Sequence, residues 1–364
     1  MDIQDFSFEL PPGHIAQHPP RCREEARLCC LSPGQPPVHR RVSSLPEYVR
    51  PGDLWVFNNT KVVKARLLGR KQKTGGRAEL LVVAPAQEAL TLGEGLLRPL
   101  ESLRWRCLGR AGKGFKPGEV LALDGDGGVY AEVLTRQEEG GFLCVRFEGG
   151  EKNATLAQVL EASGHTPLPP YIGRAATPED SRRYQTVFAG EEGSIAAPTA
   201  GLHFTPALMD ALRARGARLA FLRLDVGLGT FLPIRTARLE EHTMHEETCQ
   251  VPEETAKALA QTRAAGGRVV AVGTTVVRCL ESFADEAGHV EAGSRRTDIF
   301  IFPGYRFRLV QAMLTNFHLP GSTLLMLVAA FWGREETLAA YREAVAQGYR
   351  FYSFGDAMWL ERTP

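Results

Sequence analysis

A change in hydrophobic pattern along the chain constrains its fold more than any other feature of the sequence. Between Leu54 and Glu148, short runs of β-branched and apolar residues alternate with glycine-rich turns. These runs are LWVF, KVVKARLLG, AELLVVA, EVLALDG, GVYAEVL and GFLCVRF. Such spacing is typical of short antiparallel strands. The segment therefore predicts a small antiparallel barrel or sandwich.

After about Ala217 the pattern changes to strands that alternate with helices, as in βα units. The stretch VPEETAKALAQTRAAGG predicts a helix that stops at Gly266, and RVVAVG predicts a short buried strand after it. A helix is also expected after Thr205, with Pro206 in its first position and Gly216 beyond its last turn. This half predicts an α/β body, and the alternation alone allows a closed barrel or an open sheet.

Length and charge limit the class of protein. The 364 residues suffice for a sizeable core and for two domains. The 43 basic and 42 acidic residues nearly cancel, so any nucleic-acid surface must be a local patch.

Cysteine usage and the apolar segments bear on location. The seven cysteines are scattered and include no C-x-x-C pair, which fits a reducing compartment. The N-terminus has acidic residues and prolines where a signal peptide needs a basic start. The longest apolar stretch, Leu324 to Trp332, is far short of the roughly 20 residues that span a bilayer. We expect a cytoplasmic protein with no membrane segment.

The stretch SIAAPTAGLHFT, from Ser194 to Thr205, is the first candidate for chemistry. Its small residues let a ligand approach the backbone, Gly201 frees the dihedrals, and the following helix offers amides to an anionic group. The alternative is a tight connection packed by small side chains, with His203 as a hydrogen-bonded core residue.

The stretch VVAVGTTVVRCLES, from Val269 to Ser282, runs from a strand into Gly-Thr-Thr and a helix. It presents hydroxyls and amides at the carboxyl end of a strand, where open α/β sheets bind ligands. It lacks the lysine of a P-loop and the three glycines of a Rossmann fingerprint, so neither a nucleoside triphosphate nor NAD is expected. The alternative is a simple βα turn with Thr274 as N-cap.

The stretch HTMHEETC contains side chains that ligate metals: His242, His245, Glu246 and Cys249. As a helix it would place the two histidines three residues apart on one face. The spacing matches neither H-E-x-x-H nor H-x-x-E-H. A metal-dependent hydrolase built on His242, His245 and Glu246 is one alternative function, although we expect no metal.

Two further stretches lie towards the C-terminus. In LTNFHLPGSTLLMLVAAFWG, Asn316 and His318 stand in a loop, and Ser322 can cap the buried apolar helix that follows. The stretch YRFYSFGDAMWL alternates as a strand does, with Gly355 and Asp356 in a turn, so a buried structural tail is expected.

Basic residues cluster around VVKARLLG and could form a face that contacts phosphates. They are Lys61, Lys64, Arg66, Arg70, Lys71, Lys73 and Arg77. The alternative is a hairpin edge guarded by lysines.

Five separated blocks of the sequence occur in a fixed order. They are DFSFELP with IAQHP, PGDLWVFNNTKVVKARLLG, SIAAPTAGLHFT, VGLGTF followed by HTMHEE, and the run from VVAVGTTVVRCLES through TNFHLPGSTLLMLV to YRFYSFGDAM. Together they cover almost the whole chain and resemble the S-adenosylmethionine:tRNA ribosyltransferase-isomerase family of queuosine biosynthesis.

The resemblance implies that the ribosyl part of S-adenosylmethionine is transferred to 7-aminomethyl-7-deazaguanine at the tRNA wobble position and isomerised. The products would be epoxyqueuosine in tRNA, adenine and methionine. It implies an α/β barrel-like main domain, residues 1–64 and 153–364, with an inserted small antiparallel β-barrel domain, residues 65–152. S-adenosylmethionine would be a consumed substrate with no further cofactor, tRNA the partner, and the protein a monomer.

The implied chemistry requires proton transfer, because a sulfonium acidifies the adjacent C5′ hydrogens. We expect His203 and His318 to be the acid/base residues, although the aminomethyl group of the substrate could be the base instead. The expected substrate-binding residues are Asn58, Asn59, Thr60, Arg66, Ser194, Pro198, Thr199, Gly201, Gly227, Gly229, Thr230, His245, Gly273, Thr274, Thr275, Arg278, Glu281 and Asn316.

The chain departs from the family pattern at several positions. Asp225 stands where histidine is expected, Glu246 and Val276 stand where serine is expected, and CREEARL replaces a usual Asp-x-Ser-Arg-Leu. The exchange at Asp225 removes a proton carrier and adds a negative charge. A non-catalytic RNA-binding protein, in which the β module grips RNA, is the other alternative function.

Overall fold

The structure is a computed structural model and describes residues 1–87, 89–125, 127–136, 141–227, 229 and 238–362. Its strands are β1 (Arg27–Leu31), β2 (Val38–Arg41), β3 (Leu54–Asn58), β4 (Lys61–Val62), β5 (Arg66–Lys71), β6 (Arg77–Pro85), β7 (Arg104–Ala111), β8 (Val120–Leu123), β9 (Val129–Arg136), β10 (Phe142–Gly149), β11 (Glu192–Ser194), β12 (Arg218–Leu224), β13 (Glu247–Val251), β14 (Val269–Val272), β15 (Gly293–Thr297), β16 (Ala312–Asn316) and β17 (Ala357–Glu361).

The α-helices are α1 (Leu92–Leu96), α2 (Leu156–Ser163), α3 (Pro178–Arg183), α4 (Pro206–Ala214), α5 (Glu253–Ala264), α6 (Thr274–Phe283), α7 (Thr323–Trp332) and α8 (Arg334–Ala346). Short 3₁₀ helices span Ile3–Phe6, Pro12–His14, Arg23–Glu25, Val42–Tyr48, Leu100–Ser102, Thr199–His203 and Leu239–Glu241. Within the described residues, no helix combines the length and the apolar character needed to cross a membrane.

A nine-stranded mixed sheet forms the body, in the order β15-β13-β12-β3-β14-β16-β17-β1-β2. Its centre is parallel: β12, β3, β14 and β16 run in the same direction. Their register aligns the carboxyl ends, with Asn58 opposite Leu222 and Val272 opposite Leu314. The outer pairs, β13 with β12 and β16 with β17, are antiparallel.

The expectation of a barrel-like body is wrong in one respect, because the sheet of the described residues is open, with β15 and β2 at its two edges. Both edge strands pair antiparallel with their single neighbours, β13 and β1, and do not pair with each other. The mixed α/β class itself is confirmed. The LWVF run, which the sequence pattern grouped with the antiparallel strands, is β3 at the centre of this sheet.

Successive side chains of β3 point to opposite faces of the sheet, so the strand contributes to the core on each face. Leu54 and Val56 pack into a core that includes residues of α5 to α8, whereas Trp55 and Phe57 pack into a second core with residues of α4. All four side chains are fully buried. This pattern is what a central strand covered on both faces requires.

Six antiparallel strands close into a ring in the order β10-β7-β6-β5-β8-β9. Each is hydrogen-bonded to two neighbours, so the ring leaves no free edge. Alternate residues fill its interior, among them Leu80, Val82, Trp105 and Val133. The ring joins the body closely at α1, where a Cβ on Gly93 would lie 2.5 Å from the carbonyl oxygen of Glu192.

Local signals at helix ends are mostly confirmed. Thr205 accepts a hydrogen bond from the amide of Leu208 at 3.1 Å, and Ser322 accepts one from Leu325 at 3.2 Å. Gly273, rather than Thr274, is the N-cap of α6. A φ of 101° at this position explains why a glycine stands there.

Candidate functional site

The carboxyl ends of the four parallel strands meet at one edge of the body sheet. There β3 ends at Asn58, β12 leads into Asp225, β14 leads into Gly273, and β16 ends at Asn316. Because open α/β sheets bind ligands at this edge, the geometry places several of the expected residues where a site belongs.

A small pocket of about 50 Å³ lies at this edge. It is lined by Tyr171, Ala196, Ala197, Pro198, Thr199, Ala200, Val226, Gly273, Thr274, Thr275, Thr315, Asn316, Phe317, His318, Leu324, Tyr352 and Ser353. The SIAAPTAGLHFT stretch forms one wall, and the Gly-Thr-Thr turn and the TNFH stretch form the others. Three motifs far apart in sequence therefore meet in one pocket.

Asn316 is buried in the wall of this pocket. Its Nδ2 donates to the carbonyl oxygen of Tyr352 at 3.1 Å and to Nε2 of His203 at 3.1 Å. Its Oδ1 is buried and has no hydrogen-bond partner among the described residues. A buried acceptor without a partner is costly, so Oδ1 is suited to accept a hydrogen bond from a ligand.

His203 lies behind Asn316 and does not line the small pocket. It borders a separate narrow cavity with Arg23 and Phe354, and its ring also hydrogen-bonds to the backbone of Arg23. Burial lowers the pKa of His203 to about 4, and the charge of Asp356 opposes this shift only in part. The imidazole is therefore neutral at pH 7.

His318 does line the pocket. Its Nε2 lies 2.9 Å from the hydroxyl of Thr315, and its backbone amide donates to the hydroxyl of Tyr341 at 3.2 Å. Burial lowers the pKa of His318 to about 3. A histidine with so low a pKa is a weak proton acceptor at neutral pH.

The start of α6 faces the pocket. Gly273 bends the chain with its positive φ, and the amides and hydroxyls of Thr274 and Thr275 follow at the helix N-terminus. Both threonines are buried. Amides at a helix N-terminus, together with the helix dipole, favour a negatively charged group.

The C-terminal stretch contributes more to the pocket than its sequence indicates. Tyr352 has a φ of 73°, which is rare for a residue with a side chain, and its carbonyl oxygen is fixed by Asn316. Its ring lies over Tyr171 with centroids 3.9 Å apart. Alternation in YRFYSF predicted only a buried tail, and no sequence signal marks the backbone conformation of Tyr352.

A larger cleft of about 610 Å³ lies between the ring and the carboxyl edge of the sheet. It is lined by Val83, Ala84, Pro85, Ala86, Leu90, Thr91, Leu92, Arg106, Phe142, Cys144, Gly193, Ile195, Asp225, Val226, Gly227, Gly229, Met244, His245, Glu246, Glu247, Thr248 and Arg296. Val226 lines both the cleft and the small pocket. Molecules bound in the two spaces would therefore be neighbours.

A chain of hydrogen bonds runs along the wall of the cleft. The amide of Val226 donates to Oγ of Ser194 at 2.7 Å, and Oγ of Ser194 lies 2.8 Å from Oγ1 of Thr60. Oγ1 of Thr60 lies 2.7 Å from Oδ1 of Asp225. A carboxylate oxygen only accepts, so Thr60 donates to Asp225 and Ser194 donates to Thr60. Two expected binding residues thus serve to hold Asp225.

The side chain of Asn58 connects the end of β3 to the end of β12 and the start of α6. Its Oδ1 accepts from the amides of Thr60 and Leu224, each at 3.1 Å. Its Nδ2 donates to the carbonyl oxygen of Leu224 at 2.9 Å and reaches Oγ1 of Thr275 at 3.4 Å. Asn59, next along the chain, accepts from the amide of Gly190 through its backbone. Both asparagines shape the site from outside the two cavities.

The VGLGTF and HTMHEE stretches approach each other in the cleft. The backbone amide of Gly227 donates a hydrogen bond to Oε1 of Glu247 at 3.2 Å. A Cβ on Gly229 would lie 2.5 Å from Cδ2 of His245, so this glycine permits a close approach. His245 is exposed at the cleft. Thr230 lies outside the described residues.

Four further expected binding residues line neither cavity. Arg278 forms a buried ion pair with Glu247, which does line the cleft. Glu281 is buried and accepts from the amides of residues 308–310. Arg66 pairs with Glu79 on the ring at 2.7 Å. Gly201 packs against Phe188 and Thr186, where a Cβ would lie 2.9 Å from each.

The HTMHEETC stretch is not a helix. Residues 242–246 are irregular and lead into β13. His242 packs edge-on against Phe300, and Glu246 lies 3.4 Å from Arg296. Within the described part of the chain, no three of the histidine, cysteine and carboxylate side chains are grouped to hold a metal ion.

The basic cluster divides into two groups. Lys61, Lys64, Arg66 and Lys71 each pair with a glutamate, at distances of 2.7 to 2.9 Å. Arg70, Lys73 and Arg77 are exposed, and the two arginines lie opposite each other on β5 and β6. Together with Arg110, Arg70 and Arg77 line a groove of about 540 Å³ on the outside of the ring, which Glu79 and Asp124 also line. The positive surface is therefore smaller than the sequence predicts, and it lies on the ring.

Similar proteins agree with this architecture over nearly the full chain. The chain is 51% identical over 363 residues to the S-adenosylmethionine:tRNA ribosyltransferase-isomerase of Anaeromyxobacter dehalogenans strain 2CP-C, covering 100% of both chains. It is 50% identical over 374 residues to the enzyme of that name from Sorangium cellulosum, covering 99% of this chain and 98% of the relative.

A solved structure is also similar. The crystal structure of S-adenosylmethionine tRNA ribosyltransferase from Thermotoga maritima matches with a TM-score of 0.53 and 38% identity, covering 98% of this chain and 99% of that one. The sequence profile described as queuosine biosynthesis protein matches residues 3–360. The chain therefore belongs to the queuosine biosynthesis protein family.

Proposed function

We propose that this chain is an S-adenosylmethionine:tRNA ribosyltransferase-isomerase. It transfers the ribosyl part of S-adenosylmethionine to 7-aminomethyl-7-deazaguanine at the tRNA wobble position and isomerises it, giving epoxyqueuosine-tRNA, adenine and methionine. The observation that carries the proposal is about 50% identity over the whole length to proteins of this name. The similarity does not favour the metal-dependent hydrolase.

The large cleft and the small pocket next to it together suit a reaction of two substrates, although the small pocket, at about 50 Å³, has room for only part of S-adenosylmethionine. The small pocket, with the N-terminus of α6 and Oδ1 of Asn316, offers sites for an anionic group and for a hydrogen-bond donor. S-adenosylmethionine carries both a carboxylate and several donors. The larger cleft adjoins the small pocket at Val226, which lines both. Residues of the ring form part of its wall, and it has room for the modified nucleotide.

The protein's own groups set the proton chemistry. Burial keeps both His203 and His318 neutral at pH 7, with pKa values of about 4 and 3. His318 lines the pocket and is placed to donate or accept a hydrogen bond there, whereas His203 acts through Asn316. The aminomethyl group of the incoming base is then the stronger proton acceptor for the C5′ hydrogen.

The ring supplies the tRNA side of the site in this proposal. Phe142 and Arg106 face the cleft, with the guanidinium carbon of Arg106 4.5 Å from the ring centroid of Phe142. Aromatic and guanidinium planes are the surfaces on which extruded bases stack. We assign residues 65–152 to a separately folding β-barrel domain that positions the anticodon, and S-adenosylmethionine is consumed with no other cofactor. We propose that the enzyme acts as a monomer.

The test is to incubate the purified protein with S-adenosylmethionine and tRNA carrying 7-aminomethyl-7-deazaguanine, and to measure adenine release and nucleoside mass. Adenine released only with that tRNA, together with an epoxycyclopentane-bearing nucleoside, is the expected result. Folded protein that binds the tRNA without consuming S-adenosylmethionine would overturn it and favour the RNA-binding alternative.

A further inference from the structure

We propose that Asp225 binds a primary ammonium group of a substrate in the large cleft. This inference rests on the proposed function and deepens it, because it assigns a specificity residue that the expected set of site residues omits. The ammonium belongs either to the amino-acid part of S-adenosylmethionine or to the aminomethyl group of the 7-deazaguanine base, which would bind in its protonated form and release that proton to solvent before it acts as the base.

The carboxylate of Asp225 is held in one orientation. Its Oδ1 accepts from Oγ1 of Thr60 at 2.7 Å and from Nε of Arg223 at 2.8 Å. Thr60 is fixed in turn by Ser194, which the amide of Val226 holds. Both of the bonds that reach the carboxylate, from Thr60 and from Arg223, end on the same oxygen. The side chain therefore keeps its position without any contribution from Oδ2.

The second oxygen faces the cleft. The Asp225 side chain is only 10% exposed and lines the cleft, yet Oδ2 has no hydrogen-bond partner among the described residues. The close approach of the neighbouring backbone depends on Gly193, because a Cβ there would lie 2.5 Å from Oδ1. Oδ2 is not among the fully buried side-chain atoms that lack a partner, so it reaches the solvent of the cleft and is accessible to a ligand.

Arg223 does not neutralise this carboxylate completely. Its Nη1 pairs with Glu191 at 2.6 Å, and its Nη2 donates to the carbonyl oxygen of Glu192 at 2.9 Å. Of its three nitrogens, Nε is the one that donates to Asp225, and it donates to Oδ1. One arginine therefore serves two carboxylates, which leaves negative charge at the cleft.

Each carboxylate of the cleft has an arginine partner, and Asp225 differs from the other two because it combines a fixed, largely buried side chain with one oxygen that no described residue uses. Glu247 uses both of its oxygens, on the buried Arg278 and on the amide of Gly227, and Glu246, which pairs with Arg296 at 3.4 Å, is 60% exposed. Among the described acidic residues that line the cleft, Asp225 is thus the one best suited to a cation from a substrate. An ammonium has three donors and matches a single acceptor oxygen without needing the planar geometry of a guanidinium.

The experiment compares the wild type with D225N and with E191Q. Asparagine preserves the shape of the side chain and an oxygen for Thr60 and Arg223, but removes the charge. E191Q removes the other carboxylate of Arg223, which lies outside the cleft, and is the matched control. Dissociation constants are measured for three probes: tRNA carrying 7-aminomethyl-7-deazaguanine, an unmodified transcript with guanine at that position, and S-adenosylmethionine alone.

We expect D225N to bind one of the two amine-bearing probes about tenfold more weakly than the wild type does, which is the contribution of one charge-assisted hydrogen bond. We expect E191Q to bind all three probes with unchanged affinity. Loss confined to the aminomethyl tRNA, with guanine tRNA unaffected, assigns the ammonium to the base. Loss confined to S-adenosylmethionine assigns it to the amino acid. Equal affinities of D225N and the wild type for all probes overturn the inference.

Two controls keep the result interpretable. Adenine release by the wild type tests the proposed function separately. If the wild type is active and D225N binds all probes as the wild type does, only the role of Asp225 is contradicted. If D225N fails to fold, as judged by its thermal unfolding, the wild type still tests whether a substrate ammonium is recognised, which the inference requires. It should bind aminomethyl tRNA more tightly than tRNA whose aminomethyl group is N-acetylated, or else lose affinity for S-adenosylmethionine when the α-amino group is N-acetylated. No effect of either acetylation overturns the inference.

Discussion

The side-chain amide of Asn316 donates to Nε2 of His203 at 3.1 Å. The same nitrogen donates to the carbonyl oxygen of Tyr352, which can only accept, so the orientation of the amide is fixed. His203 is therefore the acceptor, and Oδ1 of Asn316 is turned away from it. In the proposed function, we therefore expect His203 to act as a positioning residue and Oδ1 of Asn316 to contact the substrate.

The first prediction concerns His203. We expect His203→Ala to lower kcat/KM for adenine release by about tenfold, the effect of losing one orienting hydrogen bond. The shape of the pH–rate profile between pH 6 and 9 should stay the same, because a group with a pKa of about 4 does not titrate there. His203→Gln, which can still accept from Asn316, should recover most of the activity. A lost ionisation in the profile would instead indicate direct acid/base catalysis.

The second prediction concerns stability in acid. The pKa of His203 is about 4 in the folded protein and 6.5 as its ordinary value, so the unfolded chain binds more protons between these pH values. Stability is therefore lost as the pH falls through this window. As the pH falls from 7.5 to 5, this effect should cost the wild type about 2 kcal/mol of unfolding free energy, and His203→Gln should not show this loss. Chemical denaturation at both pH values measures this, and parallel pH dependences of the two proteins would contradict it.

The third prediction concerns Gly273. Its φ of 101° is unfavourable for any residue with a Cβ, whereas the added Cβ itself has room, since its nearest neighbour would be the Cβ of Ala200 at 3.5 Å. Gly273→Ala should lower the unfolding free energy by about 1 to 2 kcal/mol. It should also weaken S-adenosylmethionine binding, because the start of α6 would shift. Gly266→Ala, also at positive φ but remote from the pocket, is the control and should cost stability with no change in ligand affinity.

The fourth prediction concerns the ring. Replacing Arg70, Arg77 and Arg110 with glutamine should weaken tRNA binding and lower the slope of log Kd against log salt by roughly 2, as expected when about three phosphate contacts are lost. Affinity for S-adenosylmethionine should not change. The same three-charge change at the exposed Arg213, Arg215 and Arg342 of the body is the control. Equal salt slopes for the two triple variants would place the tRNA elsewhere.

Local features of the fold could be predicted from the sequence because they depend on neighbouring residues. Thr205, Pro206 and Gly216 bound α4, and Gly266 follows α5, as their residue types predict. The change from short strands to βα units also appears in the structure. The open sheet could not be predicted, since strand order depends on long-range pairings such as β1 with β17.

The site was predictable as a set of motifs but not as a set of roles. The sequence marks Thr60, Ser194 and Asn316, and all three lie at the carboxyl edge of the sheet. Their functions depend on contacts between residues more than 100 positions apart, such as Asn316 with His203. The importance of Asp225 arises from such contacts, and its residue type alone does not reveal it.

The side-chain amide of Asn58 makes all of its hydrogen bonds within the protein, and this has a thermodynamic consequence. Because its amide already uses both oxygen lone pairs and both nitrogen donors, the wall shared by the two cavities is assembled before a substrate arrives. Substrates then meet a preorganised surface, and little conformational entropy is lost there on binding. Affinity at this wall therefore depends on the quality of the new contacts rather than on the cost of ordering the protein.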